Sequence, residues 1–467
     1  RTAIPYHRSV DGELLQTTSE LADELGIPGV AVGIVHGDEV GFAYHGVTSV
    51  ENPLPVDGNT LFQFGSTGKT FTSVAILRLA DDGRVDLDAP VRTYVPELRL
   101  RDEQVAPAVT VLQLLDHTAG WAGDDFTDTG GGDDAVARYV EHMAELPQIT
   151  PPGFIVSYNN ASLGLAGRII EKVTGQTYEG ALASLVLEPL GLHDTLFFPN
   201  DIMTRRFAVG HRREEDGSYK VLRPWHMPRS ANPMGGISAT APDQLRWARF
   251  HLDLGRAPDG TQLVSRELIA RMQEPTAHMP GSALGEAVGI SWLLGEVAGS
   301  KVVRHGGSTI GQYSGFVMLP EHRFAIISFT NAEPNGPLFN RRIRDWAFEA
   351  YLGLVAEAPM PEPRSADVLA AYAGQFRTAG SVIDIAVDGD HLAATFRPTP
   401  EFIEALGPDT DHVEPPVPMR MLPDSDRWVV TEGSNEGDRG FFTRDPATDA
   451  VTGLHVGGRY APRVPQD

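Results

Sequence analysis

Apolar residues recur at helical spacing from Asp11 to Leu25, where Leu14, Leu15, Leu21 and Leu25 form one stripe that Gly26 ends. Two β-rich runs follow, Gly29–Val35 and Val40–Tyr44, and the polar turn His36-Gly37-Asp38-Glu39 between them predicts a hairpin. A short aromatic piece, Leu61-Phe62-Gln63-Phe64, reaches Gly65, and a helical pattern begins at once. Phe71, Val74 and Leu77 face inward on it, and Gly83 stops it. From residue 84 to 120 the pattern breaks into short helical pieces and turns, and Trp121–Asp134, rich in Gly and Asp, reads as a loop. Helices are predicted over Asp134–Leu146, Ala161–Val173 (closed by Gly175) and Ala241–Leu254, whereas 196–232 lacks periodicity and reads as an insertion or lid. Strand-like runs at Val288–Leu294, Lys301–Arg304, Gly315–Leu319 and Phe324–Thr330 precede a last helix, Leu338–Leu352. Helix, hairpin and helix in this order predict an antiparallel sheet with helices on its faces.

Beyond that helix the period changes. Ala358-Pro359-Met360-Pro361-Glu362-Pro363 is proline-rich, so a linker is placed at 358–365, between a first domain, 1–357, and a second, 366–467. The second reads as short strands and turns: Tyr372–Arg377, Val382–Val387, His391–Phe396, Trp428–Thr431, Gly440–Arg444 and Val451–Val456. Such a run predicts a small β-barrel. Two domains also suit a chain of 467 residues, which exceeds a comfortable single core.

Composition narrows the function classes. A formal charge of −24 argues against nucleic acid and anionic membrane surfaces, which need a basic face. The chain has no Cys, which excludes disulfides, thiolate metal sites and Cys nucleophiles. No apolar run is long enough to span a membrane, and Arg1-Thr2-Ala3-Ile4-Pro5 has no apolar signal core. Arg1 is not a translation start, so a leader or tag is expected to be gone. The protein is expected to be soluble, either cytoplasmic or exported.

The candidate chemistry lies where the aromatic strand meets its helix. Ser66 and Lys69 stand at i and i+3 and share one helix face. A Ser hydroxyl needs a base to become a nucleophile, and a Lys serves only if its pKa is lowered. The first helical turn adds free N–H groups for an oxyanion. Among four lysines, only Lys69 has a Ser three positions before it. Gly68-Lys69-Thr70 also ends like a phosphate-binding loop, with Asp116 as a possible magnesium ligand. That loop requires a glycine at position 63, where the chain has Gln63. Two further stretches could supply a proton shuttle and a carbonyl-polarising donor: Tyr158-Asn159-Asn160 before a helix, and His305-Gly306-Gly307-Ser308 at a strand end.

Taken together, Ser66/Lys69, Tyr158/Asn160 and His305/Gly307 resemble, in the same order, the motifs of serine hydrolases related to class C β-lactamases and D-Ala-D-Ala peptidases. Thr118-Ala119-Gly120 and Gly235-Gly236-Ile237-Ser238 also look like stretches common there, and the resemblance covers roughly 10–355. It implies an α/β (α+β) fold with an antiparallel sheet flanked by helices and an all-helical subdomain, and a site between them. A lipocalin-like C-terminal barrel occurs in some peptidase, esterase and peptide-cyclising relatives. The resemblance implies Ser66 as nucleophile, Lys69 as its activator, Tyr158 as proton relay and Asn160 as holder of the substrate amide. The backbone N–H groups of Ser66 and Ser308 would form the oxyanion hole, Gly306 and Gly307 would border the substrate, and His305 would replace the third motif's cation. Gly306 offers no hydroxyl to a substrate carboxylate, so β-lactam turnover is expected to be slow.

The expected function is therefore a serine hydrolase or acyltransferase, working through a Ser66 acyl-enzyme on a small-molecule or peptide-like amide or ester, with no metal or cofactor. One alternative is a thioesterase that releases and cyclises a carrier-bound nonribosomal peptide, with an acyl-carrier domain as partner. Another is a catalytically silent binding or sensor protein. His117 reads as a turn histidine, and Asp124-Asp125 and Asp133-Asp134 read as solvated pairs. Trp121 and Trp225-His226 are candidate cleft aromatics, and Arg439 and Arg444 candidate carboxylate binders from the barrel. The barrel itself is expected to select substrate rather than take part in the chemistry.

Overall fold

The computed structural model describes residues 10–400, 403, 415–432 and 436–465; Arg1–Pro5 and parts of the second predicted domain lie outside these. Its central sheet has eight strands in the order Glu39–Gly46, Gly29–His36, Phe324–Thr330, Tyr313–Leu319, Ser300–Ser308, Leu293–Val297, Gly285–Val288, Ala277–Ser282. Every pairing is antiparallel, so first and last segments of the predicted sheet meet directly: Val30 faces Thr330 and Ile34 faces Ile326. Phe324–Thr330 is buried at every position, because helices cover both faces. On one face Val10–Leu25 and Gly336–Ala347 share a core with Val32, Ile326 and Phe339. On the other, Gly68–Asp81 and Ala241–Leu252 pack into the larger core.

The helix that follows Ser66 is held by packed aromatic rings. Phe71 stacks on Trp247 with ring centroids 3.9 Å apart, and Phe64 packs on Phe71 at 5.7 Å. Truncating such a buried ring costs about 3–5 kcal/mol, so this helix is a rigid seat. Beside it, Val111–Leu115, Ala135–His142, Asn160–Thr174 and Tyr178–Leu182 form the helical region. Asn159 caps Asn160–Thr174 by accepting from the Ser162 N–H, and Gly175, at φ 74°, closes it as its sequence predicts.

Two sequence expectations are corrected here. Val288–Leu294 is not one strand: Gly289 donates to the Trp292 carbonyl at 2.8 Å, making a turn between two strands. Its apolar residues stay buried through the turn, which imitates a strand in the sequence. The stretch 196–232 is not a free insertion either. His211–Arg213 pairs with Tyr219–Val221 and runs parallel to Ala332–Glu333. These strands are three residues or shorter, below the length at which a period shows.

Residues 353–365 carry no helix or strand and are mostly exposed. Beyond them eight consecutive strands, from Gly374–Arg377 to Arg459–Pro462, pair in sequence order, and a Phe376–Arg463 bridge nearly closes the barrel. Val417–Met421 and Arg459–Pro462 were not legible as strands in the sequence. Phe376, Leu392, Trp428, Phe442 and Leu454 fill the interior, so the barrel is packed rather than hollow. Its Phe441 joins Val156, Met279 and Leu293 in a small apolar cluster that docks it onto the sheet edge.

Candidate active site

Ser66 sits on a single turn, Gly65–Thr67, that leads into the helix Gly68–Asp81. The turn is pressed flush against the strand Ser300–Ser308. Gly65 adopts φ 57°, and a Cβ there would lie 2.7 Å from the Ser308 nitrogen and oxygen. A Cβ on Gly307 would lie 1.9 Å from the Phe64 carbonyl and 2.8 Å from the Ser66 nitrogen. Only glycine permits this approach, which sets the Ser66 and Ser308 main chains side by side. The Ser314 hydroxyl donates to the Phe64 carbonyl at 2.7 Å and fixes the turn.

Lys69 lies one turn along, wholly buried, with Nζ 3.0 Å from Ser66 Oγ and donating to the Met234 carbonyl at 2.6 Å. No phosphate cradle forms around Gly68–Thr70, and Asp116 is buried in its own turn with Thr118. Burial, with Arg459 adding like-charge repulsion, holds the Lys69 ammonium well below its usual range against an opposing pull from Asp124. The shift favours the neutral amine beside a serine hydroxyl, which is what a base at this position requires. Its amine also lies 5.1 Å from the centre of the Tyr158 ring. The buried Tyr158 hydroxyl faces Ser66 without a well-formed hydrogen bond, and burial pushes its pKa above the usual range. Tyr158 is thus a neutral group able to pass a proton.

His305 stands where the resemblance places the third motif's cation. Burial lowers it to about 3, with Lys69 and Arg304 opposing its charge, so it is neutral near pH 7. Its Nδ1 lies 2.6 Å from the Gly306 carbonyl, which assigns the proton to that nitrogen and leaves Nε2 as an acceptor. Its ring is 6.0 Å from Tyr158. His117 does occupy a turn, at φ 62°, yet its ring packs 4.4 Å from Tyr158 and its Nδ1 accepts the Asn159 N–H at 3.1 Å. It props the back of Tyr158.

Asp124 is exposed, as its sequence neighbourhood suggests, but it is also tied into the site. It accepts from Asn160 Nδ2 at 2.8 Å and forms a two-toothed ion pair with Arg459 at 2.9 and 3.0 Å. Desolvation alone would raise its carboxyl, but Arg459 and Asn160 outweigh that and hold it below the usual value. Arg459 comes from the barrel, and its guanidinium lies 4.8 Å from the Tyr158 ring centre. The Tyr158 N–H donates to the Gly458 carbonyl at 2.8 Å, and the Tyr460 N–H to the Ser157 hydroxyl at 3.1 Å. The last hairpin of the barrel therefore forms one wall of the site and reaches Tyr158 itself, nearer to the chemistry than a role in substrate selection alone requires. The barrel arginines singled out in the sequence are engaged elsewhere: Arg444 with Asp426 and Tyr372, Arg439 with Ser282 and Glu286. Trp225-His226 lines a separate cavity, and Trp121 is buried with its carbonyl holding Asn159.

Ser66, Tyr158, His305–Ser308 and Arg459 line one cleft of about 450 Å³. Asn160 stands behind it through Asp124. A carbonyl group placed over Ser66 would meet a base on one side and two adjacent main-chain N–H groups on the other. Among the described residues no group of three or more His, Asp or Glu could hold a metal ion.

Comparison with known proteins agrees with this geometry. The Beta-lactamase family profile matches residues 14–350. Penicillin-binding protein 4 of Amycolatopsis lactamdurans is 34% identical over 365 residues, spanning 77% of this chain and 96% of its own. A beta-lactamase of Yersinia enterocolitica is 29% identical over 257 residues, 54% of this chain and 62% of that one. Among solved structures, SurE with D-Leu superimposes with a TM-score of 0.75 at 23% identity, over 97% of this chain and 99% of that chain. A class C beta-lactamase from Rhodobacter sphaeroides gives 0.58 at 24% identity over 71% and 97%. The SurE likeness takes in the barrel; the β-lactamase likeness does not extend over the whole chain. With its profile match across most of the first sheet-and-helix region and its penicillin-binding relative, the chain belongs to the Beta-lactamase family of serine hydrolases.

Proposed function

We propose that the protein is an acyl-transferring serine enzyme that forms an ester between Ser66 and the acyl group of a peptide-like amide, ester or thioester. The observation that carries this reading is the wholly buried Lys69 amine, held well below its usual pKa, 3.0 Å from Ser66 Oγ. Lys69 Nζ takes the Ser66 proton as Oγ attacks the carbonyl carbon. The oxyanion rests between the Ser66 and Ser308 N–H groups. The proton then passes by way of Tyr158 to the leaving nitrogen, oxygen or sulfur, whose bond to the acyl carbon breaks. Water or an amine repeats the sequence in reverse and frees the acyl group. A silent binding protein would gain stability by replacing a buried lysine with an apolar residue, which weighs against that reading.

A second reading, release and cyclisation of a carrier-bound peptide, is favoured by the barrel hairpin that closes the cleft and by the full-length likeness to SurE, whose structure was solved with D-Leu. A D-amino acid amidase from Ochrobactrum anthropi shares the fold over 73% of this chain with a TM-score of 0.60. The test is turnover of a matched panel: a p-nitrophenyl ester, D- and L-amino-acid amides, and linear peptidyl thioesters bearing a free amine. Cyclic product from the thioesters supports the second reading, and free acid from esters or amides the first. No turnover of any member contradicts both.

A further inference from the structure

The cleft does not end at the nucleophile. It continues past Arg304, Arg341 and Arg344 and meets a groove of about 720 Å³ that shares these three arginines, adds Arg439 and opens between the sheet edge and the barrel. Arg344 pairs with Asp345 at 2.6 Å and Arg439 with Glu286 at 3.6 Å. Arg304 and Arg341 bond only to carbonyls, those of Ala283 at 2.8 Å and Glu436 at 3.1 Å, and among the described residues neither has a carboxylate at ion-pair distance. The exposed Asp438 feels Arg341 electrostatically. Burial, then Arg344 and Arg439, lower Arg304 to about 10, against an opposing pull from Asp345. Glu296, Asp345, Glu357 and Asp438 line the same groove, so what it offers an anion are the Arg304 and Arg341 guanidinium donors that no carboxylate among the described residues holds. Asn340 stands in the same wall and accepts the Ser328 hydroxyl on Oδ1, which leaves its amide N–H₂ for the cleft.

Resting on the thioester form of the reading above, we propose that Arg304, Arg341 and Arg344 form an anion subsite for a phosphate ester within the donor's leaving arm, of the phosphopantetheine type. The anion must lie in mid-chain, because the cleft continues beyond the arginines to the surface. A phosphodiester can sit inside a chain, whereas a carboxylate ends a chain or branch. Planar guanidinium forks from three sides also suit a phosphate's several oxygens better than a single carboxylate. An arm bound this way would keep its far end in solvent, where a carrier could hold it.

The test separates the subsite from the chemistry. Binding of pantetheine 4′-phosphate and of pantetheine to Ser66→Ala protein is measured by calorimetry, alongside glutarate as a carboxylate probe. The phosphate should improve affinity about tenfold or more, and Arg304→Gln/Arg341→Gln should erase the difference. Arg341 is exposed, so Arg341→Gln alone, expected to cost several-fold, covers failure of the double variant to fold. Equal binding of the two probes, a preference untouched by the variants, or tighter binding of glutarate overturns the subsite. With active protein, the kcat/KM ratio of phosphopantetheinyl to pantetheinyl thioester should fall in the same variants. If calorimetry shows the preference yet no thioester acylates Ser66, the thioesterase reading falls while the subsite stands.

Discussion

Arg459→Met removes the one barrel cation that touches the Ser66 site, and its effect can be worked out from the geometry. Lys69 and Arg459 each lie about 5 Å from the Tyr158 ring centre, so they are no more than ~10 Å apart. Two like charges at ~10 Å in an effective dielectric of ~20 repel by roughly 1.7 kcal/mol. Without Arg459 that repulsion vanishes, and Asp124, no longer neutralised, draws a proton toward Lys69. Both changes raise the Lys69 pKa. The acidic limb of kcat/KM for a small p-nitrophenyl ester should therefore move up by about one unit or more. Below the limb the variant loses about tenfold in rate and recovers it at higher pH. Adding Asp124→Asn should bring the limb part of the way back, since it removes the carboxylate's pull while the Arg459 repulsion stays lost. An unmoved limb in Arg459→Met, or a double variant displaced as far as the single one, refutes the reasoning. A role for Arg459 in substrate binding alone would lower the rate without moving the limb.

Cutting the chain at Ala358 should abolish turnover even of the small ester, because the Gly458 carbonyl and Arg459 leave with the barrel; a soluble, folded truncation that keeps activity within about tenfold contradicts this. β-Lactams should acylate Ser66 with kcat/KM about 10–100-fold below the best ester, since neutral His305 and hydroxyl-free Gly306 offer their carboxylate no charge-assisted bond; equal values in stopped-flow acylation would sink the argument. Acid should weaken the fold. Burial lowers His305 and His251 to about 3, His455 to about 4 and His117 well below its usual value, so the unfolded chain takes up protons below pH ~6.5 that the folded chain refuses. Each such histidine costs up to about 1.4 kcal/mol per pH unit between ~6.5 and its folded value, opposed by Asp116, raised to about 6 by burial. Urea unfolding at pH 7 and pH 5 should show a clear loss, and equal unfolding free energies would contradict these assignments.

The parts of the fold legible in the sequence were those with a local cause. Val10–Leu25, the first hairpin and Asn160–Thr174 show their periods, caps and terminal glycines within one window. Ser66, Lys69, Tyr158 and His305 were legible as short motifs, and the fold brings all four to one cleft. Asp124 and Arg459 were not, because their ion pair joins positions 335 apart and neither lies in a motif. The strand that carries Arg459 is only four residues long and follows two glycines, so it leaves no alternating pattern. How far His305 departs from an ordinary imidazole was not legible either: a sequence shows the ring, but burial, with Lys69 and Arg304 near it, lowers its pKa.

The most direct measurement is intact-mass spectrometry of the protein quenched during turnover of a slow activated ester, followed by peptide mapping. The Ser66 acyl-enzyme account predicts one added acyl group on the peptide containing Ser66, none on Ser66→Ala, and strongly slowed labelling of Lys69→Met in a protein that remains folded. Labelling that persists in folded Ser66→Ala, or maps to another residue, contradicts it.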